Sequence, residues 1–370
     1  MLNFKSWTFA APLSALLACS AISADAAEAS GLAEKGKPDI KAVGPLAFGP
    51  NGVLFVGDPK TATLFAIGVE AASAIPAAAE IKLEGIDRTI ASLLGTSASE
   101  IIINDLAVQP GTSDVFLSVT RGKGPDALPA IVRVDGAGKV SEVALDKVEY
   151  AKVSLNNAPA ADAKDRRGNS LRTESITDLA YSDGRVFVAG LSNEEFASKL
   201  RAIPFPFQDA TAGTSVEIYH GAHGAFETRS PVRTFVPFDI GGKPHILAAY
   251  TCTPLVKFPL SELKPGEKVR GITVAELGNR NKPLDLIVYQ KDGRSHLLLA
   301  NSARGVLKVS TDNIDKEEPI TAPVKDTAGL HQESIAHLKG VEQLDKLNDK
   351  QAVILVHNEA GFNLESIPLP

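Results

Sequence analysis

Apolar residues in this chain come in short runs, bounded by turn residues, and almost nowhere at helical spacing. Six times a run enters a tight turn, and a second run leaves it and ends on small polar residues. The turns are Pro50-Asn51-Gly52, Pro110-Gly111-Thr112, Ser182-Asp183-Gly184, Ile240-Gly241-Gly242, Lys291-Asp292-Gly293 and Asn348-Asp349. Such runs read as β-hairpins. Asn-Gly is the strongest signal among them, because both central positions of the favoured hairpin turn need positive φ. A turn spacing on the order of 50–70 residues, kept over the whole chain, predicts an all-β fold, a six-bladed β-propeller.

The strands fill in around the turns. In the first unit they are Val43 to Phe48, Val53 to Gly57, Leu64 to Ile67 and Glu80 to Leu83; the fifth unit is expected to end on Ile320 to Val324. The last unit has only three, ending with Phe362 to Ile367, so the segment Pro38 to Val43 is expected to supply its fourth. The ring would then be closed by strands from both termini, leaving no exposed sheet edge. Asn156 to Arg172 and Ser192 to Gly213 read as loop insertions, and Arg88 to Leu94 as one or two helical turns.

Composition narrows the setting. With 38 basic against 44 acidic residues, no basic face is expected, and nucleic acid is excluded as a partner class. Lys5, the apolar stretch Ala10 to Ile22 and Ala24-Asp25-Ala26 read as an export signal over residues 1–26. Residues 27–37 follow as a flexible leader and 38–370 as the propeller domain, a periplasmic or secreted protein expected to be a monomer. Leu16-Leu17-Ala18-Cys19 gives the alternative, a lipoprotein tethered to a membrane through Cys19. Without the signal Cys252 is the one cysteine left, so no disulfide holds the fold.

The unit from Gly44 through Asp58, Gly-Pro-Leu-Ala-Phe-Gly-Pro-Asn-Gly-Val-Leu-Phe-Val-Gly-Asp, resembles a blade of the six-bladed propellers related to NHL-repeat, gluconolactonase and strictosidine-synthase-like proteins. The other five units carry the same resemblance more weakly. It implies a site at the channel mouth and, on the gluconolactonase pattern, one divalent ion held by Glu, Asn and Asp from separate blades. This chain has Val43-Gly44-Pro45 where those enzymes open their first inner strand with a Glu.

In a propeller, the loops entering each inner strand share a rim with the loops leaving the second strand. The second strands here end on Asp58, Thr120-Arg121, Ser192-Asn193, Thr251-Cys252, Asn301-Ser302 and His357-Asn358. Asp58, Arg121, Asn193, Cys252, Asn301, Arg304 and His357 are the candidate ligand-binding residues. Polar residues after strands are also ordinary turn chemistry. Asp58, Asn104, Asp105, Glu174, Asp178 and Asn301 form an oxygen-rich set suited to a hard divalent cation such as calcium, and all of them but Asp105 are the candidate metal ligands. His220 and His223, three apart, could share a metal, with Glu217 and Glu227 the nearest acids; loop histidines after a strand are the commoner case. Cys252 would need a base for nucleophilic use, or a second soft ligand for metal binding; a packed thiol at a strand end is the plain alternative.

The expected function is an exported binding module holding a small ligand, a metal ion or a protein partner at the rim. The alternative is a metal-dependent hydrolase of the lactonase type. A single Trp counts against a quinoprotein-like redox role, whose blades stack on tryptophans.

Overall fold

The computed structural model describes residues 31–70, 80–209 and 212–370, so the expected export signal lies outside the described residues. Six sheets form a six-bladed propeller. The blades are numbered here by the place of their inner strands in the chain: Leu46–Phe48, Ile101–Val108, Asp178–Ser182, Val232–Ile240, Pro283–Lys291 and Val341–Lys346. Four inner hairpins turn through two successive left-handed residues, Asn51-Gly52, Asp183-Gly184, Gly241-Gly242 and Asp292-Gly293, with φ between 50° and 77°. These are the residue types for which that backbone is cheapest.

Blade order around the ring differs from blade order along the chain. Buried apolar residues of the first blade pack against the second (Phe65 and Phe116) and against the third (Phe55 and Val188). The second packs on the sixth (Leu117 and Leu355), and the rest follow in sequence. Around the ring the order is therefore first, third, fourth, fifth, sixth, second. The cause lies in the outer strands. The fourth strand of the first blade is Val148–Ser154, reached only after the second blade is complete, and Glu34–Gly36 lies outside it. The first blade is thus a composite of the N-terminal segment and one later strand. That strand carries the chain across it, so that the third blade follows on its far side. Within the stretch read as a leader, Leu32 is buried in the core between the first and third blades.

An N-terminal segment does close the sixth blade, but it is not Pro38 to Val43. Lys82–Leu83 pairs with Leu364 and Glu365. It is fixed by Ser366 Oγ, which accepts from Ile81 N at 3.0 Å, and by Asn363 Oδ1, which accepts from Gly85 N at 3.1 Å. Helix α1 (Ile86–Leu93) follows, and its Ile86 and Ile90 complete the core between the second and sixth blades. Ile320 to Val324 is likewise not the fourth strand of the fifth blade; Gln332–Ser334 is. Pro319 and Pro323 deny that segment a regular ladder of donors. Its free amides instead reach sideways, Ile320 N to Thr273 O and Val324 N to Gly221 O, both at 2.9 Å.

Candidate functional site

The inner strands of the second, fourth, fifth and sixth blades each carry a bulge near the rim, with Asn104, Arg233, Leu284 and Glu342 as the extra residue. A bulge re-aims the side chains beside it. The next residues, Asp105, Thr234, Asp285 and Gln343, line the central channel together with Pro45 and Asp178 of the other two blades. In ring order this level reads Pro45, Asp178, Thr234, Asp285, Gln343, Asp105, with a carboxyl group on every second blade.

These three aspartates separate two chambers, one of 440 Å³ at the rim and one of 730 Å³ on the opposite side, and line both. Each also ties its blade to the next. Asp178 Oδ2 accepts from Phe235 N at 2.7 Å, Asp285 Oδ2 from Leu344 N at 2.8 Å, and Asp105 Oδ2 from Leu46 N at 2.6 Å. Asp345, deeper on the sixth blade, does the same for Val108 N at 2.7 Å. Their other oxygens are used as well: Oδ1 of Asp178, Asp285 and Asp345 accepts from the amide of the following residue at 2.6–2.7 Å.

Burial penalises the charged form of all four. It raises Asp178 to about 8, with repulsion from Asp285 adding to the shift. It raises Asp105 and Asp285 well above the carboxylate range, with repulsion from Asp178 on the first and from Asp105 on the second adding to burial, and raises Asp345 to about 6. Burial and repulsion thus disfavour the full negative charge that three carboxylates would otherwise place at the waist.

The rim chamber above it carries charge. Glu174 Oε2 pairs with Arg233 Nη1 at 2.5 Å, and Arg233 Nε donates to Thr251 Oγ1 at 3.1 Å. Lys282 lines the same chamber, its ammonium held below the usual lysine range by burial and then by the neighbouring Arg233. Two cations thus face one anion in the chamber above the carboxyl floor. Asn104 is a wall residue, donating from Nδ2 to Thr120 Oγ1 at 2.9 Å and to Val43 O at 3.0 Å.

Of the residues picked out from the sequence, Asn104, Glu174 and Asp178 meet in this chamber. Asp58 is buried behind it, and its carboxylate accepts from Lys41, Lys60 and Thr61 amides at 2.8–3.1 Å. Asn301 is buried and accepts from Asn281 Nδ2 at 2.9 Å. The five oxygen donors expected to hold a hard cation do not converge on one point; two of them serve the backbone and a neighbouring amide. Arg121 and Asn193 are exposed at their strand ends. Arg304 pairs with Asp326 beside a side cavity of 550 Å³. His357 stacks on Phe362, with ring centroids 4.3 Å apart, and its Nδ1 lies 3.2 Å from Glu342 Oε1. Cys252 lies near His220 and His223, apart from the chamber.

Asp105, which belongs to the oxygen-rich set, and Asp285 are not among the candidate ligands read from the sequence, and neither are Arg233 and Lys282, although all four stand at inner-strand entries. A signal for the first two was present: Asp105-Leu106, Asp178-Leu179 and Asp285-Leu286 repeat an Asp-Leu pair at one position of three inner strands.

No family model and no curated protein matches the chain. Solved structures do. A candidate oxidoreductase (glucose dehydrogenase) from Thermus thermophilus is 13% identical, with 90% of this chain and 99% of that one covered and a TM-score of 0.38. The PQQ-bound aldose sugar dehydrogenase of Streptomyces coelicolor is 11% identical over 91% and 97% of the two chains, TM-score 0.32. The soluble aldose sugar dehydrogenase of Escherichia coli, in its apo form, is 12% identical over 91% and 99%, TM-score 0.32. The likeness is one of propeller fold.

Proposed function

We propose that the protein is an exported binding module that holds a small anionic ligand in the rim chamber. The observation that carries this reading is the charge pattern there. Arg233 is matched by Glu174, Lys282 adds a further positive charge, and burial disfavours the charged form of the carboxyl floor, raising Asp178 to about 8. A partly desolvated cation over a floor whose carboxyl groups are disfavoured as anions favours an acid group on the ligand, with hydroxyls directed at Thr234 and Gln343. Export rests on the N-terminal sequence pattern.

Calorimetric titration with small carboxylates, hydroxy acids and neutral sugars tests this. The acids should bind and the neutral sugars should not. Lys282→Gln should weaken the acids by about tenfold, the effect of losing roughly 1.4 kcal/mol, with no change in melting temperature. Equal binding by the Lys282→Gln variant would sink the reading. Chelator-sensitive turnover of lactones would replace it with the metal-dependent hydrolase.

A further inference from the structure

A second cluster lies at the seam of the third and fourth blades, outside the channel. The strand Thr214–His220 ends in a tight turn in which His223 N and Gly224 N donate to His220 O at 3.1 and 2.8 Å. The turn folds the two imidazoles together, with ring centroids 3.9 Å apart. From the fourth blade the turn after Tyr250 brings in Cys252. One nitrogen of each imidazole and the Cys252 Sγ all lie within 4.8 Å of one another.

Three further observations mark this cluster as built for a ligand. First, His220 is 1% exposed, and its Nε2 has no hydrogen-bond partner. A buried polar atom without a partner is costly and rare. Second, Glu227 lies on the Nδ1 side of both rings, with Oε2 3.0 Å from His220 Nδ1 and Oε1 2.5 Å from His223 Nδ1. Its Oε2 also accepts from Ser230 Oγ at 2.5 Å. A carboxylate on Nδ1 fixes the tautomer and leaves Nε2 as the electron-pair donor, the usual outer shell of a metal-bound histidine. Third, Cys252 and Thr253 are successive left-handed residues, with φ of 60° and 62°. Where the chain makes such a pair in its inner hairpins, glycine fills the second place; here neither residue is glycine. The conformation is enforced by Cys252 N donating to Asn281 O at 2.7 Å and by Thr253 Oγ1 donating to Gly278 O at 2.9 Å. Turn geometry alone does not select Cys-Thr, whereas aiming a thiol at two imidazoles does.

We infer that His220, His223 and Cys252 bind one transition-metal ion of the zinc class, through two imidazole nitrogens and a thiolate. Two nitrogens and one sulfur suit a borderline-soft ion and not calcium or magnesium. Three protein ligands leave a fourth tetrahedral position, and His223 and Cys252 are open enough to solvent for water to take it. Glu276 is fully buried next to the turn. Its Oε1 accepts from Gly221 N at 2.5 Å, and its Oε2 has no partner. Its carboxyl group lies within electrostatic reach of both imidazoles. The inference stands independently of the rim chamber.

The test uses the full chain, reduced and stripped with a chelator, then titrated with Co²⁺ and competed with Zn²⁺. One equivalent of Co²⁺ should produce a thiolate-to-metal charge-transfer band that Zn²⁺ abolishes. Cys252→Ser should remove the band and weaken Zn²⁺ by about 100-fold or more, and Glu227→Gln should weaken it by about tenfold through the loss of orientation. His223→Ala, at an exposed side chain, should weaken Zn²⁺ while leaving the melting temperature of the stripped protein unchanged. Absence of the band, or equal Zn²⁺ affinity in Cys252→Ser and the parent, overturns the site.

Discussion

The channel waist and the blade seam both gather groups that can hold a cation, and the structure uses them in opposite ways. At the waist three aspartates stand on alternate blades, the picture expected of an oxygen-lined metal site. Yet their oxygens are taken by backbone amides of their own and the next blade. The carboxyl groups there act as clasps that satisfy amides which the inner strands cannot pair across the channel. At the seam the groups are fewer and less conspicuous in the sequence, but His220 and Glu276 keep buried atoms with no partner. The comparison teaches that unsatisfied atoms locate a site better than residue type does. A polar group already paired has little left to offer a ligand.

The largest expected effect breaks the comparison on stability. Asp178→Ala leaves the amides of Phe235 and Leu179 without acceptors, at a cost of about 3 kcal/mol for two poorly solvated donors. His223→Ala, at an exposed side chain, should cost about 0.5 kcal/mol or less. Denaturant midpoints would report both. Equal losses would mean that the waist is no more structural than the seam.

A second contrast is in pH. The folded protein holds the Asp178 proton up to about 8 and the Asp345 proton up to about 6, whereas an unfolded aspartate releases it near 3.8. Between those values the native state binds more protons. The stabilisation from these groups is therefore complete below the unfolded value and is lost as pH rises through the folded ones. The melting temperature should fall by about 4 °C between pH 5.5 and 8.5, and Asp178→Asn should flatten the slope. A flat profile in the parent chain would show that the waist is ionised throughout. Anion binding in the rim chamber should weaken over the same range as the floor becomes negative.

Much of the fold was legible in the sequence because the inner hairpins carry their own instructions. Asn51-Gly52, Asp183-Gly184 and Asp292-Gly293 state turn geometry, and the runs beside them state burial. The outer strands state neither. Lys82–Leu83 is two residues long and Glu34–Gly36 three, too short for any period to show, so only tertiary packing determines which blade they join. That is why the strand pattern points to Pro38 to Val43 for a closure that Lys82–Leu83 makes, and why the exchanged positions of the first two blades leave no trace in the repeat. The site was partly legible for a similar reason. Glu174, Asn104 and Asp178 sit where strand-end logic predicts; Arg233 and Lys282 stand at inner-strand entries too, but nothing in their residue type separates a chamber cation from a solvated surface charge. His220 and Cys252, 32 positions apart in number, were each visible alone and meet only through the packing of the third blade on the fourth.

The smallest expected effect is the one that most sharpens the contrast. If the Cys252-Thr253 backbone is held for the thiol's sake, its left-handed conformation is strain kept in exchange for function. Glycine adopts φ near 60° without the Cβ clash. Cys252→Gly should therefore stabilise the metal-free protein by roughly 0.5–1 kcal/mol, although it removes a side chain. The same change at a waist aspartate can only destabilise, since those side chains relieve unpaired amides and store no strain. In the presence of Zn²⁺ the order should reverse, because binding to the native state raises the parent's stability by about 2.7 kcal/mol at a hundredfold excess over Kd, and the glycine variant gains none of it. Unfolding curves of both proteins, with chelator and with Zn²⁺, resolve the crossing. Curves that keep the same order under both conditions would show that the strained turn serves the fold and not the ion.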